Sequence, residues 1–503
     1  MKRTIYTFLA VFILFVQQIT AQTYHEMYRP QIHFSPKAHW MNDPNGMVYY
    51  NGVYHLFFQY YPGASVWGPM HWGHAVSTDL IHWKQEPVAL YPDSIGYIFS
   101  GSVVVDKNNT SGLGVKGKSP LIAIFTQHDT AGERAHTNTF QNQSIAYSND
   151  AGKTWIKYKG NPVLKNPGIT DFRDPKVMWY DAGNKWIMTL AVKDHIAFYS
   201  STDLKNWTVE SEFGKNIGAH GGVWECPDLI SFDDNGKQVW ALIVNINPGG
   251  PNGGSATQYF IGDFDGKTFT TSDNNTKWLD YGPDEYAGVT WSNTDNRRIF
   301  LGWMSNWSYG QLVPTQAWRS AMTVPRNLSL VHVGNDIFIS SKPVVELNNV
   351  AFNQQSIQSL TVDKSYDLSQ QINNIQLPCK LDFNVQDAKS FSVIFSNDKN
   401  ETIIIGYDEM QKHYYINRSR SGETDFEKSF NLERVAPRIS NTNNIHLTII
   451  ADVSSVELFA DDGLSVMTEI YFPSRPFDKI RLQSTESIKI DNLGFSGLKG
   501  IWR

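Results

Sequence analysis

Hydrophobic and polar positions along residues 28–326 form short alternating runs separated by turn residues. The stretch 47–61, MVYYNGVYHLFFQYY, contains two such runs joined by Asn51-Gly52, the pair preferred in type I′ turns, and it predicts a β-hairpin. Runs such as SPLIAIFTQ, KVMWYDAGNKWIMTLAV, IAFYSS and QVWALIVNI have the same character. Helical periodicity is hard to find in this region, so the pattern predicts an all-β domain.

A weak repeat runs through the same region: STDLIHW begins at Ser77, SNDAGKTW at Ser148 and STDLKNW at Ser201. Each copy predicts a turn that contains an Asp, followed by a Trp that enters the next strand. Recurrence of one β unit at intervals of tens of residues is typical of propeller blades. A region of roughly 300 residues, at about four strands per blade, would suit about five blades.

The pattern changes after Pro325. Residues 353–371, NQQSIQSLTVDKSYDLSQQ, are polar and predict a connecting segment, and alternating runs such as KLDFNVQ, SFSVIFSN and IHLTIIADVSSVELFADDG resume from about Leu377. These runs predict an antiparallel β-sandwich. We therefore expect a signal peptide at 1–21, a propeller that carries the chemistry at 22–335, and a linker with the sandwich at 336–503.

The N-terminus predicts export. Two basic residues precede an apolar run from Ile5 to about Val16, and QQITAQT follows, which is typical of a signal peptide cut near Ala21 or Gln22. That run is short for a bilayer span and no later segment is long and apolar enough, so we expect no transmembrane segment. The mature protein would then be periplasmic, extracellular or held at the cell surface.

Composition narrows the choice of partners. The chain has a formal net charge of −6 and no basic block, which argues against nucleic acid as a partner. Aromatic residues make up 13%, which suits β-strands and equally suits flat faces that stack on sugar rings. Cys226 and Cys379 are the 2 cysteines, so a disulfide framework is excluded, and we do not expect a bridge between them. His71 and His74 lack a recognisable third ligand, so we expect structural roles for both, no metal and no cofactor.

Three acidic residues in turn-prone settings are followed by proline, directly or one residue on: Asp43 in WMNDPNG, Asp174 in DFRDPK and Glu225 in VWECPD. Proline fixes its own φ and restricts the residue before it, so such carboxylates have little conformational freedom to lose. A single Asp-Pro is more often only a turn, but three acids in such settings on different blades predict one shared site. Two carboxylates that flank one bond are what glycoside hydrolysis requires.

The sequence neighbours of these acids predict a division of roles. Trp224 and the sulfur of Cys226 solvate charge poorly, so we expect Glu225 to keep its proton beside them and to act as the acid. Asp43 lies beside the amide donor of Asn42, so we expect it to stay ionised. Two carboxylates in different environments can then take different tasks.

These motifs resemble the ordered signature of glycoside hydrolase family 32, which contains levanases, inulinases and invertases. The resemblance is carried by HWMNDPNG, FFQYYPGASVWGPMHWGHAVSTDLIHW, FSGS, FRDPK, WECPD, GWMSNW and WRSAMTVPR, in that order, and it covers nearly the whole mature chain. It implies a five-bladed β-propeller with the active site, followed by a C-terminal β-sandwich. It also implies hydrolysis of β-fructofuranosides with retained anomeric configuration.

The same resemblance implies roles for individual residues. Asp43 would be the nucleophile that forms a covalent fructosyl–enzyme, and Glu225 would protonate the leaving oxygen and then deprotonate water. Asp174 would bind fructose hydroxyls and stabilise the oxocarbenium-like state. The fructose pocket would be lined by Asn42, Gln59, Trp67, Phe99, Ser100, Arg173 and Trp318.

The implied substrate is a fructan polysaccharide or oligosaccharide, with levan favoured over inulin. Alternatives are an invertase or fructosyltransferase that acts on sucrose or short fructo-oligosaccharides, an inverting arabinan- or xylan-cleaving enzyme, and a non-catalytic fructan-binding protein. One departure is QYYP, where relatives commonly read QYNP: Tyr61 adds a ring close to Gln59 and Trp67 and could alter neighbouring subsites. Internal versus terminal cleavage and the oligomeric state stay open.

Overall fold

The computed structural model describes residues 24–115 and 117–502, and nearly all regular structure there is β. Five sheets form a five-bladed β-propeller, and a larger sheet domain follows at the C-terminus, as the sequence predicted. The expected signal peptide at 1–21 lies outside the described residues. Across the two described ranges, no helix has the length and apolar character needed to cross a membrane.

The first blade begins with the hairpin predicted from the sequence, and the structure confirms it. β1 (His39–Tyr50) and β2 (Val53–Tyr61) pair antiparallel. Asn51 and Gly52 form the turn between them with φ of 51° and 83°, as a type I′ turn requires. Two further strands complete the blade: β3 (His71–Ser77) and β4 (Lys84–Leu90).

The next three blades repeat this antiparallel order. The second contains β5 (Tyr97–Val105), β6 (Leu121–His128), a short helix α1 (Thr130–Arg134), β7 (Gln141–Ser148) and β8 (Ile156–Lys157). The third contains β9 (Phe172–Tyr180), β10 (Lys185–Val192), β11 (His195–Ser201) and β12 (Thr208–Phe213). The fourth contains β13 (Val223–Asp234), β14 (Lys237–Asn247), β15 (Ala256–Phe264), β16 (Phe269–Thr270) and β17 (Lys277–Trp278).

The last propeller segment builds the fifth blade and closes the ring. Its strands are β18 (Tyr286–Thr290), β19 (Arg298–Met304), β20 (Trp318–Arg319), β21 (Ala321–Met322), β22 (Arg326–Val333) and β23 (Asp336–Pro343). β20 leaves this sheet and pairs in parallel with β1, with Trp318 opposite His39, which links the fifth blade to the first. The domain boundary expected at residue 335 falls in the turn of the β22–β23 hairpin, so the fifth sheet continues to Pro343.

The weak sequence repeat corresponds to one recurring turn. In the first three blades it joins the third strand to the fourth. The Ser hydroxyl donates to the Asp carboxylate, and the Trp ring nitrogen donates to a backbone carbonyl inside the turn, which fixes the entry into the outer strand. The three sets are Ser77, Asp79 and Trp83; Ser148, Asp150 and Trp155; and Ser201, Asp203 and Trp207.

The C-terminal domain is a sandwich whose two layers share one long strand. Its strands are β24 (Ala351–Asp367), β25 (Cys379–Val385), β26 (Phe391–Ser396), β27 (Thr402–Asp408), β28 (His413–Arg420), β29 (Arg434–Pro437), β30 (Ile445–Ala451), β31 (Ser455–Ala460), β32 (Ser465–Ile470) and β33 (Lys479–Leu498). β26 pairs with residues 479–484 of β33, and β25 pairs with residues 490–497. Apolar residues from both layers, such as Phe383 and Val393, meet in one core.

One expectation for this domain is wrong. Residues 353–371, predicted to be a connecting segment, form most of β24 and the short turn Leu368–Gln370. Within β24 only Ile357, Leu360 and Val362 are buried, so the sequence lacks the alternation of apolar and polar residues that is typical of a strand. The strand is held instead by backbone pairing with β33. The other short 3-10 turns are Asp181–Gly183, Val345–Val350, Gln386–Ala388 and Asp461–Gly463.

A buried ionic network joins the propeller to the sandwich. Arg326 on β22 donates to Asp280 at 2.8 Å and, through Nε, to Glu457 on β31 at 3.1 Å. His33 lies between Glu457 and Asp452, with 2.8 Å from each ring nitrogen to a carboxylate oxygen. Each charged group in this network therefore has an oppositely charged partner, as buried charges generally do.

Candidate active site

Each of the five innermost propeller strands has a β-bulge among its first residues. These strands, β1, β5, β9, β13 and β18, pack against one another around the axis. A bulge adds an unpaired residue and redirects side chains from the ordinary alternation. The register shifts lie between Met41 and Pro44, Ile98 and Gly101, Arg173 and Lys176, Glu225 and Asp228, and Tyr286 and Val289. The bulges bring polar side chains from different blades together at one end of the axis.

The prolines that drew attention to the three acids lie in or beside these bulges. Proline has no N–H to donate to the strand ladder, so a bulge is a place in a sheet that accommodates it. Three non-glycine residues in these bulges also have positive φ: 63° at Asp174, 44° at Cys226 and 54° at Ala287. Non-glycine residues adopt that region at some energetic disadvantage, and such strain is commonly found at functional sites.

Asp43 receives hydrogen bonds from two blades. Ser100 Oγ donates to its Oδ2 at 2.6 Å, and Asn42 Nδ2 donates to its Oδ1 at 2.9 Å. The thiol of Cys226 lies 3.6 Å from the same Oδ2. Burial, and then the charge of Glu225, raise the pKa of Asp43 above its ordinary value, while Ser100 and Asn42 act in the opposite direction. The Asn42 donor expected from the sequence is present, but burial outweighs it.

Glu225 is held by an arginine and a tyrosine. Arg173 donates to its Oε1 through Nε at 3.1 Å and through Nη2 at 2.9 Å, and the hydroxyl of Tyr286 donates to its Oε2. Arg173 is fixed on its other side by Asp171, whose Oδ1 accepts from Nη1 at 2.5 Å. Glu225 therefore has charged and hydroxyl donors rather than an apolar surrounding.

The surroundings expected for Glu225 from its sequence neighbours are wrong. The Trp224 ring nitrogen donates to the carbonyl of Ala219 at 2.8 Å, and the ring packs in the core of the fourth blade near Phe260. The Cys226 thiol contacts Asp43 instead. Consecutive strand residues point to opposite faces, so the residues on either side of Glu225 in sequence do not surround its carboxylate.

Asp174 is the most deeply buried of the three acids, with 5% of its surface exposed. Its Oδ2 accepts the backbone N–H of Cys226 at 3.1 Å and lies 3.9 Å from Arg173 Nε. Burial raises the pKa of Asp174, the charge of Arg173 lowers it, and the charges of Glu225 and Asp43 raise it further. Like charges in one site disfavour simultaneous ionisation, so the three carboxylates form one electrostatic unit.

Two predicted pocket residues, Gln59 and Asn42, are positioned by hydrogen bonds to neighbouring side chains. Gln59 is buried, and its Nε2 donates to Oδ1 of Asn45 at 2.8 Å. Asn42 accepts the ring N–H of Trp40 at 2.7 Å, which leaves its amide nitrogen directed to Asp43. Each amide is therefore oriented by a neighbour, as a rigid binding site requires.

An aromatic wall stands beside Ser100. The Phe99 ring stacks on the His128 ring, with centroids 4.2 Å apart, and it meets the Trp67 ring edge to face at 6.2 Å. Trp67 is 36% exposed, so part of its ring is open to solvent. A flat apolar surface of this kind suits the apolar face of a sugar ring.

Trp318 packs where the propeller meets the sandwich. Its ring is 4% exposed, and the Arg29 guanidinium lies over it at 4.3 Å. It packs with Tyr28, Met304 and Phe472 between the propeller and the sandwich. β20, which carries Trp318, pairs in parallel with β1, the strand that carries Asp43, and a place for Trp318 in the pocket stays a prediction.

Two residues of the site were missed or misjudged by sequence reasoning. Tyr286 lies in DEYAGVT, which matches no catalytic pattern, and only its place at the start of the fifth inner strand could have indicated its contact with Glu225. Cys226 was expected beside the acid, whereas its thiol lies beside Asp43 and its backbone N–H beside Asp174.

His71 and His74 contact different partners, and the two cysteines are not joined by a disulfide. Nδ1 of His71 lies 2.8 Å from the carbonyl of Pro69, and Nε2 of His74 lies 3.0 Å from Nδ1 of His55. Cys226 and Cys379 are both buried and free. Among the described residues there is no group of three or more His, Cys, Asp or Glu arranged to hold a metal ion.

A propeller whose inner strands bring three carboxylates together has the paired acidic groups that a glycoside hydrolase requires. Residues 33–342 match the N-terminal domain of glycosyl hydrolases family 32, and residues 346–496 match the C-terminal domain of the same family. The chain belongs to glycosyl hydrolase family 32.

Relatives resemble the chain over most of its length. A levanase from Bacillus subtilis is 46% identical over 492 residues, which cover 95% of this chain and 72% of the levanase. An extracellular exo-inulinase from Aspergillus awamori is 39% identical over 92% of this chain and 93% of its own. The crystal structure of an exo-inulinase from the same species has a TM-score of 0.87 with this fold at 36% identity, covering 95% of this chain and 100% of that one.

Proposed function

We propose that the enzyme hydrolyses β-fructofuranosyl bonds in fructans and retains the anomeric configuration. The proposal is carried by one observation: Asp43 and Glu225 lie in one site but are held by different partners. Asp43 is bound by Ser100 and Asn42, whereas Glu225 is bound by Arg173 and Tyr286. Retaining glycosidases need one carboxylate that attacks and another that moves a proton, and these two can divide those tasks.

In the first step, a carboxylate oxygen of Asp43 attacks the anomeric carbon of the fructosyl unit. The bond from that carbon to the leaving oxygen breaks as Glu225 gives its proton to this oxygen. The product of the step is a fructosyl ester of Asp43 and a released alcohol. Ser100 and Asn42 fix the direction of the attacking oxygens through their hydrogen bonds.

In the second step, Glu225 acts as a base. It removes a proton from water as the water oxygen bonds to the anomeric carbon, and the ester bond to Asp43 breaks. Asp43 returns as a carboxylate and Glu225 returns with a proton, so the cycle is complete. Two displacements at one carbon restore the original configuration, which is why the product is expected to retain it.

Asp174 and Arg173 complete the site in this proposal. Asp174 lies close to both other carboxylates and is suited to bind fructose hydroxyls and to stabilise the positive charge of the transition state. Arg173 contacts Glu225 directly and approaches Asp174, so it holds the proton-carrying group at a constant position. Trp67, Phe99 and Gln59 would form the wall and floor on which the sugar packs.

We propose levan as the preferred polymer, with inulin as the next candidate. A levanase that is 46% identical supports the first, and an exo-inulinase that is 39% identical supports the second. We also propose that the protein is exported, which the extracellular exo-inulinase relative and the N-terminal sequence pattern support.

The test follows the first product by NMR with levan, inulin and sucrose as substrates. The β-anomer of fructose, or of the fructosyl end of a fragment, should form first and should mutarotate only later. First appearance of the α-anomer would overturn the retaining mechanism, and no product from any substrate would overturn the function. A chromatographic time course of the same reactions separates fructose release from chain ends, which gives fructose alone, from internal cleavage, which gives oligosaccharides.

A further inference from the structure

Three exposed apolar residues lie on two loops that are hydrogen-bonded to each other, and together we name them the apolar rim: Val66, Trp67 and Leu312. They are 42%, 36% and 53% exposed. Val66 and Trp67 follow β2, in the first blade, and Leu312 precedes β20. Large apolar side chains grouped on a surface beside a binding site commonly mark a contact surface for a ligand or partner.

The rim is continuous with the catalytic site. Ser100, which donates to Asp43 at 2.6 Å, follows Phe99 in sequence, and the Phe99 ring meets the Trp67 ring at 6.2 Å. Trp67 is in turn tied to the second loop, because its backbone N–H donates to Oε1 of Gln311 at 3.2 Å. A series of contacts therefore connects Asp43, through Ser100 and Phe99, to Trp67 and to the loop that carries Leu312.

Further hydrogen bonds hold the two loops in place. Ser65 Oγ donates to the carbonyl of Gln316 at 2.6 Å, and the backbone N–H of Trp40 on β1 donates to the carbonyl of Ala64 at 3.0 Å. The first bond joins the loops to each other, and the second joins the first loop to the strand that carries Asp43. The rim is thus pre-organised relative to the nucleophile, which reduces the entropy lost when a ligand binds.

The Tyr61 ring packs against the loop that carries Val66 and Trp67. A Cβ added at Gly63 would lie 2.7 Å from this ring, and one added at Gly68 would lie 2.5 Å away, so the ring packs directly against both glycines. The loop that carries Val66 and Trp67 is therefore folded over the Tyr61 ring.

We propose that the apolar rim binds the part of a fructan chain that projects from the pocket, and that Tyr61 is a positioning residue for it. The inference rests on the proposed function, since it takes the terminal or central fructose to sit at Asp43. A polymer has further sugar units whose apolar faces can cover Val66, Trp67 and Leu312, whereas sucrose offers only one ring beyond the cleaved bond. The rim thereby favours long substrates over short ones.

The first test compares kcat/KM for levan with kcat/KM for sucrose in the double variant Val66→Ser/Leu312→Ser. We expect the ratio of the two values to fall at least about fivefold, mainly through KM for levan, because apolar contact area is lost. The matched control is Val209→Ser/Leu432→Ser, which changes the same residue types at positions 59% and 48% exposed on the third blade and the sandwich. The control ratio should stay within about twofold of the unmodified enzyme.

The second test addresses Tyr61 by the same ratio. Tyr61→Ala and Tyr61→Asn should lower the ratio of kcat/KM for levan to kcat/KM for sucrose about as much as the rim variant does. Tyr61→Phe should leave this ratio unchanged because the ring is kept. An unchanged ratio in the rim variant, with both substrates still cleaved, would overturn this inference and leave the proposed function standing. Absence of cleavage of every fructoside by the unmodified enzyme would instead overturn the proposed function, and this inference with it.

Discussion

The thiol of Cys226 lies 3.6 Å from Oδ2 of Asp43, although 183 positions separate the two residues in sequence. They come from the fourth and first blades, and the bulges on β13 and β1 direct them to the same point. The backbone N–H of Cys226 also donates to Asp174. One residue therefore contacts two of the three carboxylates, and its position depends on closure of the whole propeller ring.

Replacement of Asp43 or Glu225 should abolish most of the activity, and replacement of Asp43 should do so without lowering the melting temperature. In the proposed mechanism Asp43 forms a bond to the sugar and Glu225 transfers a proton, so Asp43→Asn and Glu225→Gln should each lower kcat by about a thousandfold or more. The melting temperature of Asp43→Asn should not fall, since burial and the charge of Glu225 both act against the ionised carboxylate.

Steady-state kinetics and thermal unfolding test this expectation, and exposed Asp336 provides a matched Asp→Asn control on the last propeller hairpin. Activity of Asp43→Asn near that of the control variant would contradict the assignment of Asp43 as nucleophile.

Loss of the Tyr286 hydroxyl should lower activity without unfolding the protein. Tyr286→Phe removes a donor to Glu225 and keeps the buried ring, so kcat should fall about tenfold with little change in KM. Tyr199→Phe, on the third blade, is the matched control and should behave as the unmodified enzyme. An equal effect of both substitutions would show that Tyr286 acts only through packing.

Both cysteines should resist alkylation in the folded protein. Burial, followed by the nearby carboxylates, raises the pKa of the Cys226 thiol well above its ordinary value, and burial raises the pKa of Cys379 to about 12. Only the thiolate reacts readily, so iodoacetamide at neutral pH should label neither residue, and both after unfolding. Mass spectrometry of intact and unfolded protein measures this, and rapid labelling of native Cys226 would contradict the buried site.

Stability should decline on the alkaline side because of buried groups that hold protons. Burial raises the pKa of Glu469 to about 8 against the opposing charge of Arg418, and its carboxylate oxygens have no hydrogen-bond partner among the described residues. Burial also opposes the protonated form of His33, but hydrogen bonds to Asp452 and Glu457 outweigh it and raise its pKa to about 9.

Because both folded pKa values exceed the ordinary ones, the folded state binds the extra protons and loses that advantage as the pH rises. The contribution of Glu469 is complete below pH 4.5 and is lost toward pH 8, whereas that of His33 is complete below pH 6.5 and is lost toward pH 9. The melting temperature should therefore fall between these limits.

Glu469→Gln resembles the protonated side chain, so it should be neutral near pH 5 and should be more stable than the unmodified enzyme at pH 9, by about 4 kcal/mol at most. Thermal unfolding across this pH range measures the effect, with exposed Glu486→Gln as the control. Parallel curves for the Glu469 variant and the unmodified protein would show that Glu469 is ionised in the folded state.

Several features of the fold were predictable because they depend on nearby residues. Asn51-Gly52 specifies its turn through backbone preferences of two residues, and the Ser–Asp–Trp turns are completed by hydrogen bonds within seven or eight positions. β24 was not predictable in the same way. Its side chains are mostly polar, and the long β33, more than a hundred positions away, is what makes it a strand.

The residues of the candidate site show the same difference between features set by nearby residues and features set by distant ones. Asp43, Asp174 and Glu225 could be selected because each is followed by a proline, directly or one residue on, and the bulges explain why proline is accommodated there. No neighbouring proline or other sequence pattern indicated Tyr286. Trp318 was assigned to the pocket from its motif, and that assignment stays a prediction; the structure shows its ring beneath the Arg29 guanidinium, where β20 pairs with β1.

The sequence by itself determined the strand and turn pattern, the all-β class and the three acids, because alternation and turn preferences act over a few residues. Only the tertiary structure decided which groups surround each acid. Asp43 meets Ser100 and Cys226 from other blades, and Glu225 meets Arg173 and Tyr286, through contacts that form when the ring of blades closes. Burial and hydrogen bonding of a carboxylate depend on those long-range contacts, so its chemical role does too.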